Sequence, residues 1–238
     1  MKKYKTELHC HNSEVSHCAG ENAADTVEKY IKYGYSTVVV TNHLARPNFR
    51  RMGYGDDSSW EEKAGMYIAG YEKMKEAAAG RINILFGAEI RFDELENDYL
   101  VFGMTPEFLM SHPDIYAMSL GEFYNEINHP NRFITIQAHP MRFHMQHVFP
   151  WHVDGWEIYN GHPDNESYND AAIAYSKYFP AKIFTSGSDH HDANHIPDAG
   201  IETDFEIKTM DELMDVFRSR SYALIEDEAT RQASKMKE

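Results

Sequence analysis

The chain has 238 residues, 42% of them hydrophobic and 26% charged, which suits a globular protein able to bury a sizeable core. Its formal charge of −15 comes from 23 Lys and Arg against 38 Asp and Glu spread along the chain; it repels long polyanions and makes long nucleic acid a poor partner. No run approaches a membrane span, the start MKKYKTELH lacks a signal peptide's apolar segment, and Cys10 and Cys18 give no disulfide framework, so a cytoplasmic protein is expected.

In chain order, residues 4–10 (YKTELHC) read as a short strand and residues 21–34 as a helix closed by Gly34. Residues 35–41 (YSTVVVT) form a second strand, whose β-branched run suits a sheet covered on both faces. A longer helix spans 59–79 and ends at Gly80, followed by strands at 82–92 (INILFGAEIRF) and 98–103 (DYLVFG). Residues 119–131 are helix-like, 132–139 and 153–160 are strands, and 165–179 is a helix. Residues 181–191 run as a strand into a turn, 209–220 is a helix and 221–226 a last strand.

This alternation predicts an α/β fold with a mostly parallel sheet, and the absence of a linker predicts one domain over 1–238. Seven or so strands with polar residues at several strand ends suit a barrel, where those ends converge on one mouth. No glycine-rich dinucleotide or P-loop pattern follows a strand.

The fourteen histidines are the outlier of the composition. In ELHCH, the two-residue period of a strand puts His9 and His11 on one face and Cys10 on the other. Such a pair also occurs where a strand end merely meets water. The other strand ends change its meaning, because they carry His43, Glu89, His139, Asp189 and His191, all ligand-competent types after apolar runs. Imidazoles mixed with carboxylates favour zinc, iron or manganese over magnesium or calcium. Glu89, ending an apolar strand in GAEI, is a carboxylate able to bridge two cations.

The ordered set of HxH, TNH, GAE, AHP and GSDHH resembles the PHP (polymerase and histidinol phosphatase) family of metal-dependent phosphoesterases, from His9 to about Ile201. The resemblance implies a distorted seven-stranded (β/α) barrel with two or three divalent ions at its mouth. It implies that His9, His11, Glu89 and Asp189 hold one ion, and that Glu89 bridges to a second, also bound by His139. His17, His43 and His191 would hold a third. Two departures stand out. Asn42 replaces the family's usual aspartate, and the histidine expected after the Glu has no clear equivalent, the nearest positions being Tyr99 and Met104, with His112 further on.

Arginine clamps phosphate through its planar fork, and Arg142 and then Arg46 are the candidates. His190 and His144 are candidates for protonating a leaving group. Glu157 and Asn160 end another strand, where they could orient ligands. Phe143, Phe149 and Trp151 are expected in packing or as a pocket wall, and His129 and His162 in loops. The expected activity is hydrolysis of a small phosphate ester. An amidohydrolase-like reaction is the rival reading, but it would want a bridging lysine at a strand end, and none is suitably placed. A non-catalytic metal-binding regulatory domain is the other alternative.

Overall fold

A computed structural model describes residues 3–128 and 132–226. The first half contains strands β1 (Tyr4–Glu7), β2 (Tyr35–Val40), β3 (His43–Leu44), β4 (Asn83–Arg91) and β5 (Asp98–Phe102). Its helices are α1 (Ala23–Lys32), α2 (Arg46–Arg51) and α3 (Trp60–Ala78). Next come α4 (Pro106–Met110) and α5 (Leu120–Glu122), the latter continuing as a π-helical turn over Phe123–Ile127. The remainder is β6 (Ile134–Gln137), β7 (Gly155–Asn160), α6 (Asn169–Ser176), β8 (Ile183–Gly187), β9 (Gly200–Thr203), α7 (Met210–Ser219) and β10 (Ala223–Ile225).

Local chemistry explains where the main helices begin. Asn22 caps α1 by accepting from Ala24 N and Asp25 N, and Ser59 and Glu62 form a reciprocal capping box at α3. Thr209 and Glu212 do the same at α7. The elements foreseen from sequence are present, though the helix-like stretch after residue 119 is shorter, and its end at 129–131 lies outside the described residues. Against the seven or so strands expected, ten take part among the described residues; the additions include two-residue β3 and short β9, too brief for a clear period.

The sheet runs β10-β9-β1-β2-β4-β5-β6-β7-β8, with β3 added beside β4. Pairs β1–β2, β2–β4, β3–β4, β6–β7 and β7–β8 are parallel. Strand β5 runs antiparallel to both β4 and β6, and β9 antiparallel to β1 and β10. The two ends of this order approach each other, Tyr222 Oη donating to Phe184 O at 2.8 Å. Beyond β1 and β8, Cys10 and His190 form a parallel bridge, with His11 N donating to His190 O at 3.0 Å. The sheet therefore nearly closes, as a distorted (β/α) barrel.

Side-chain alternation fills both sides of the barrel wall. Val39, Leu85, Leu100 and Ile136 meet Leu213, Val216 and Phe217 of α7 in one buried cluster. Val38, Val40 and Ile84 pack outward with Val27 and Tyr30 of α1 and Met74 of α3. Burial on both faces is what the β-branched run of β2 requires. Cys10 joins the outer cluster, so His9 and His11 are left to face the mouth.

Candidate metal centre

Glu89 is the hub. It sits near the end of β4, is 1% exposed, and turns its two oxygens to different sides of the mouth. Oε1 lies 3.2 Å from His9 Nε2 and 3.2 Å from His139 Nε2. Oε2 lies 2.6 Å from His43 Nδ1 and 3.5 Å from His11 Nε2. Asp189, after β8, places Oδ1 3.3 Å from both His9 Nε2 and His11 Nε2. His191 completes the ring, its imidazole centroid 4.2 Å from that of His11.

Three overlapping sets result, each with candidate ligand atoms within 4.8 Å of one another: His9, His11 and Asp189; His9, Glu89 and His139; and His11, His43 and His191. A fourth set, His162, Asp164 and His195, lies at the rim. There His195 already accepts from His191 N at 3.2 Å and faces Asp164 Oδ2 at 3.0 Å, so it braces the loop that carries His191.

The donor set fits divalent cations, and the hydrogen bonds behind it show why. His9 Nδ1–H donates to Glu157 Oε1 at 2.9 Å, leaving Nε2 with its lone pair. His11 Nδ1–H donates to Ser16 Oγ at 3.1 Å, because the Ser16 hydroxyl itself donates to Asn42 Oδ1 at 3.0 Å. His191 Nδ1–H donates to Asp189 O at 2.9 Å. The buried Nε2 atoms of His9 and His11 have no hydrogen-bond partner. Orphaned buried polar atoms converging on one point call for an explanation, and a cation supplies it.

Electrostatics agree. Burial disfavours charge on His9, yet Asp189, Glu157 and Glu89 outweigh it and hold its imidazole well above the ordinary pKa. Burial, His191 and His43 keep His11 well below the ordinary value, and therefore neutral. For Glu89, burial acts upward, but His43, His9 and His139 carry the carboxyl well below its usual range. The cluster demands positive charge at its centre.

The backbone is also shaped for the task. His139 and Asp189 have φ of 30° and 50°, in the left-handed region that non-glycine residues rarely occupy. Such strain persists only where surroundings enforce it. Glu157 does part of this, accepting from His139 N at 2.9 Å and from Asn160 Nδ2 at 2.9 Å. The expected orienting role for Glu157 and Asn160 thus has hydrogen bonds behind it.

A cavity of about 330 Å³ opens over the cluster, lined by Arg91, Arg142, His144, His162 and Cys18 among others. Arg142 donates from one Nη to Asp189 Oδ2 at 2.8 Å and Asn160 Oδ1 at 2.9 Å, and from Nε to Ser167 Oγ at 3.2 Å. His144 stands exposed on the rim.

Several expected residues lie elsewhere. His17 is exposed, with Nδ1 3.0 Å from Asn48 Oδ1 and Nε2 2.7 Å from Arg51 Nη1, and stays out of the cluster. Its neighbour Cys18, also exposed, lines the cavity together with His43 and His191. Burial raises the Cys18 thiol, but those two imidazoles bring it down to about 6. His190 is turned away from the mouth, buried, with Nε2 bonded to Glu21 and its ring edge-on to Tyr30. Arg46 is engaged by Asp93 at 2.7 Å and lies over the Tyr116 ring, so it does not line the cavity.

Tyr99 and Met104 are core residues, and His112 bonds back to Phe108 O at 2.7 Å. A further carboxylate on the same side of His139 as Glu89 is Asp98, Oδ2 3.9 Å from His139 Nε2 and held by both arms of Arg91 at 2.6 and 2.7 Å. Sequence reasoning missed Asp98 because β5 runs backwards, bringing its start to the mouth beside Arg91 at the end of β4. Phe143, Phe149 and Trp151 are exposed, with Phe149 stacked on Trp151, and do not line the cavity. His162 is a loop residue that does line it, and His129 lies outside the described residues.

Among known proteins, no protein-family model matches the chain and no curated protein is similar to it in sequence. Solved structures do share its fold. A two-domain protein from Bacteroides vulgatus containing a predicted PHP-like metal-dependent phosphoesterase aligns with TM-score 0.63 at 15% identity, covering 94% of this chain and 65% of its own length. This chain thus spans less than two thirds of that protein. PsfC from Pseudomonas syringae aligns with TM-score 0.66 at 13% identity, covering 99% of this chain and 96% of PsfC. A protein from Bifidobacterium adolescentis assigned as a metal-dependent phosphoesterase aligns with TM-score 0.52 at 14% identity, over 90% of this chain and 95% of the other. The chain shares the fold of these three structures.

Proposed function

We propose that the protein is a PHP-type phosphoesterase, a single domain that hydrolyses a small phosphate ester with two or three divalent ions at the barrel mouth. The observation that carries this reading is the convergence of the unpartnered Nε2 atoms of His9 and His11 on Glu89 and Asp189. His9, His11, Glu89 and Asp189 would hold one ion, Glu89, His139 and Asp98 a second, and His11, His43 and His191 a third. Zinc, iron or manganese suits such a mixed nitrogen and oxygen set. Ions bound there would supply Lewis acidity and lower the pKa of water toward neutrality.

The chain's own residues provide the rest. Glu157 and Ser16 fix the tautomers of His9 and His11, so that each presents Nε2. Arg142 and Arg91 stand on the cavity wall as cations for an anionic substrate, each already anchored to a carboxylate. His144, exposed at the cavity rim, is the candidate for protonating a leaving alkoxide. The cavity admits a small substrate, and the −15 charge disfavours a long nucleic acid. Two free cysteines go with a reducing compartment such as the cytoplasm.

The amidohydrolase-like rival has less support, because no lysine lines the cavity among the described residues. The test is an assay of the metal-loaded protein on phosphomonoesters, small phosphodiesters, N-acyl amines and lactones. Phosphate ester cleavage that disappears when His9 and His11 are both replaced by alanine supports the proposal. Turnover confined to amides or lactones, or phosphate release indifferent to those replacements, overturns it.

A further inference from the structure

Asp189 and His191 stand on a turn with left-handed backbone, φ being 50° at Asp189, and strain of that kind needs an outside constraint. Arg142 and Asn160 hold the Asp189 carboxylate, at 2.8 and 3.2 Å from its Oδ2. The backbone that follows is held from another quarter, by Glu21 and Lys29. Glu21 immediately precedes Asn22, the cap of α1, and Lys29 lies in the last turn of that helix.

Glu21 N donates to His191 O at 3.1 Å, and Gly20 N does the same at 3.1 Å. His190 Nε2–H donates to Glu21 Oε2, while Glu21 Oε1 takes Lys29 Nζ at 2.9 Å. Lys29 Nζ also donates to Asp192 O at 3.1 Å and to Ala193 O at 2.9 Å. An ammonium has three protons, and here each finds an acceptor. Every residue from His190 to Ala193 is thus tied to Glu21 or Lys29. The approach is close, since a Cβ on Gly20 would come within 2.1 Å of Asp192 Oδ1.

A buried ion pair is a costly brace. The Glu21 side chain is 5% exposed and that of Lys29 13%, and charges taken so far out of water stabilise little more than apolar side chains of similar volume. What the pair supplies is direction, because hydrogen bonds to successive carbonyls fix a turn that apolar contact would let slide. We propose that Glu21 and Lys29 are positioning residues, a pair that sets the angle at which Asp189 and His191 meet a cation. The proposal rests on reading the mouth as a metal centre. Neither residue lines the cavity, so the pair acts through the His190 ring and the carbonyls of residues 191–193.

Zinc and cobalt(II) titrations of the full chain, in competition with a chelator, test the pair. The double replacement Glu21→Gln with Lys29→Met removes both charges at nearly constant volume. It is expected to keep the wild-type circular dichroism and a metal-free Tm within a few degrees. Zinc binding should nonetheless weaken about 10- to 100-fold, as for other groups that orient ligands, and the visible cobalt bands should change. Glu21→Asp keeps the charge but withdraws it by one methylene from His190 and Lys29. It should act in the same way, and it decides the matter if the double variant does not fold. Folded variants with wild-type zinc affinity and the wild-type cobalt spectrum overturn the positioning role and leave the metal-centre reading standing. Affinity lost only together with the metal-free Tm marks the pair as structural and overturns the role as well. A wild-type chain that takes up neither metal overturns both readings.

Discussion

His43 and Glu89 are register partners across the parallel pair β3–β4, and His43 Nδ1 lies 2.6 Å from Glu89 Oε2. The sheet itself thus brings an imidazole to one oxygen of the carboxylate whose other oxygen serves His9 and His139. Glu89→Gln keeps the shape and removes the charge that joins these two sides. Metal affinity by chelator competition is expected to fall more than about 100-fold, beyond the range for residues that only orient ligands. Retention of wild-type affinity would argue against a bridging carboxylate.

The residues behind the histidines should matter in a graded way. Glu157→Gln and Ser16→Ala leave every proposed ligand in place but release the Nδ1–H of His9 or His11. Each is expected to weaken metal binding by about 10- to 100-fold. Calorimetric titration of each variant with zinc measures it, and an unchanged dissociation constant would show that the ring orientation is set by packing alone.

The two arginines proposed from sequence should separate in kinetics. Arg142→Lys keeps the charge but loses the fork that reaches Asp189, Asn160 and Ser167. Loss of a charge-assisted bond is worth roughly 1.5–3 kcal/mol, about 10- to 150-fold in kcat/KM. Arg46→Ala, which loosens contacts to Asp93 and Tyr116, should leave kcat/KM within about twofold, as for changes away from such features. Steady-state rates on one cleaved ester decide between them.

Stripping metal with a chelator should lower thermal stability as well as activity. With free ion at about 1,000 times its dissociation constant, binding contributes about 4 kcal/mol. In a chain of this length that corresponds to roughly 10 °C in Tm. A melting curve unaffected by chelator and by added zinc would count against a site preformed in the fold.

One buried acid far from the mouth gives a pH-dependent test of the barrel. Burial raises the Asp154 carboxyl despite hydrogen bonds from Thr135 N at 2.7 Å and Tyr124 Oη at 3.0 Å. Its folded pKa lies above the unfolded value, so the folded state holds more protons between the two. Stability from this group is full below the unfolded value and declines as pH rises through the folded one. The gap in Tm between wild type and Asp154→Asn should therefore shift in the variant's favour as pH rises through that window.

Much of this arrangement was readable before any coordinates. The alternation of strands and helices gave the barrel, and the period of two in ELHCH correctly sent Cys10 to the core and His9 and His11 to the mouth. What could not be read was direction and loop winding. Asp98 looks like the start of a strand, remote from any C-terminal mouth, until β5 proves antiparallel. His17 and Cys18 are adjacent, and only the Asn12 and Ser16 turn decides which of them faces inward. His190 lies between two proposed ligands, and its partner Glu21 is distant in sequence.

The backward strand β5 has a wider meaning. A helical crossover would anchor both ends of that segment on the barrel wall, but here the chain leaves Arg91 and returns at Asp98 after only the turn at 92–97. The contacts that close the barrel, the Cys10–His190 bridge and the approach of Tyr222 to Phe184 in β8, involve the two ends of the strand order, away from β4 and β5. Lengthening or reshaping this turn would alter the rim beside Arg91 and Asp98, which stay paired in the ladder, without disturbing closure. One lip of the mouth is adjustable while the other is fixed, which gives selection a place to retune substrate preference on an unchanged frame.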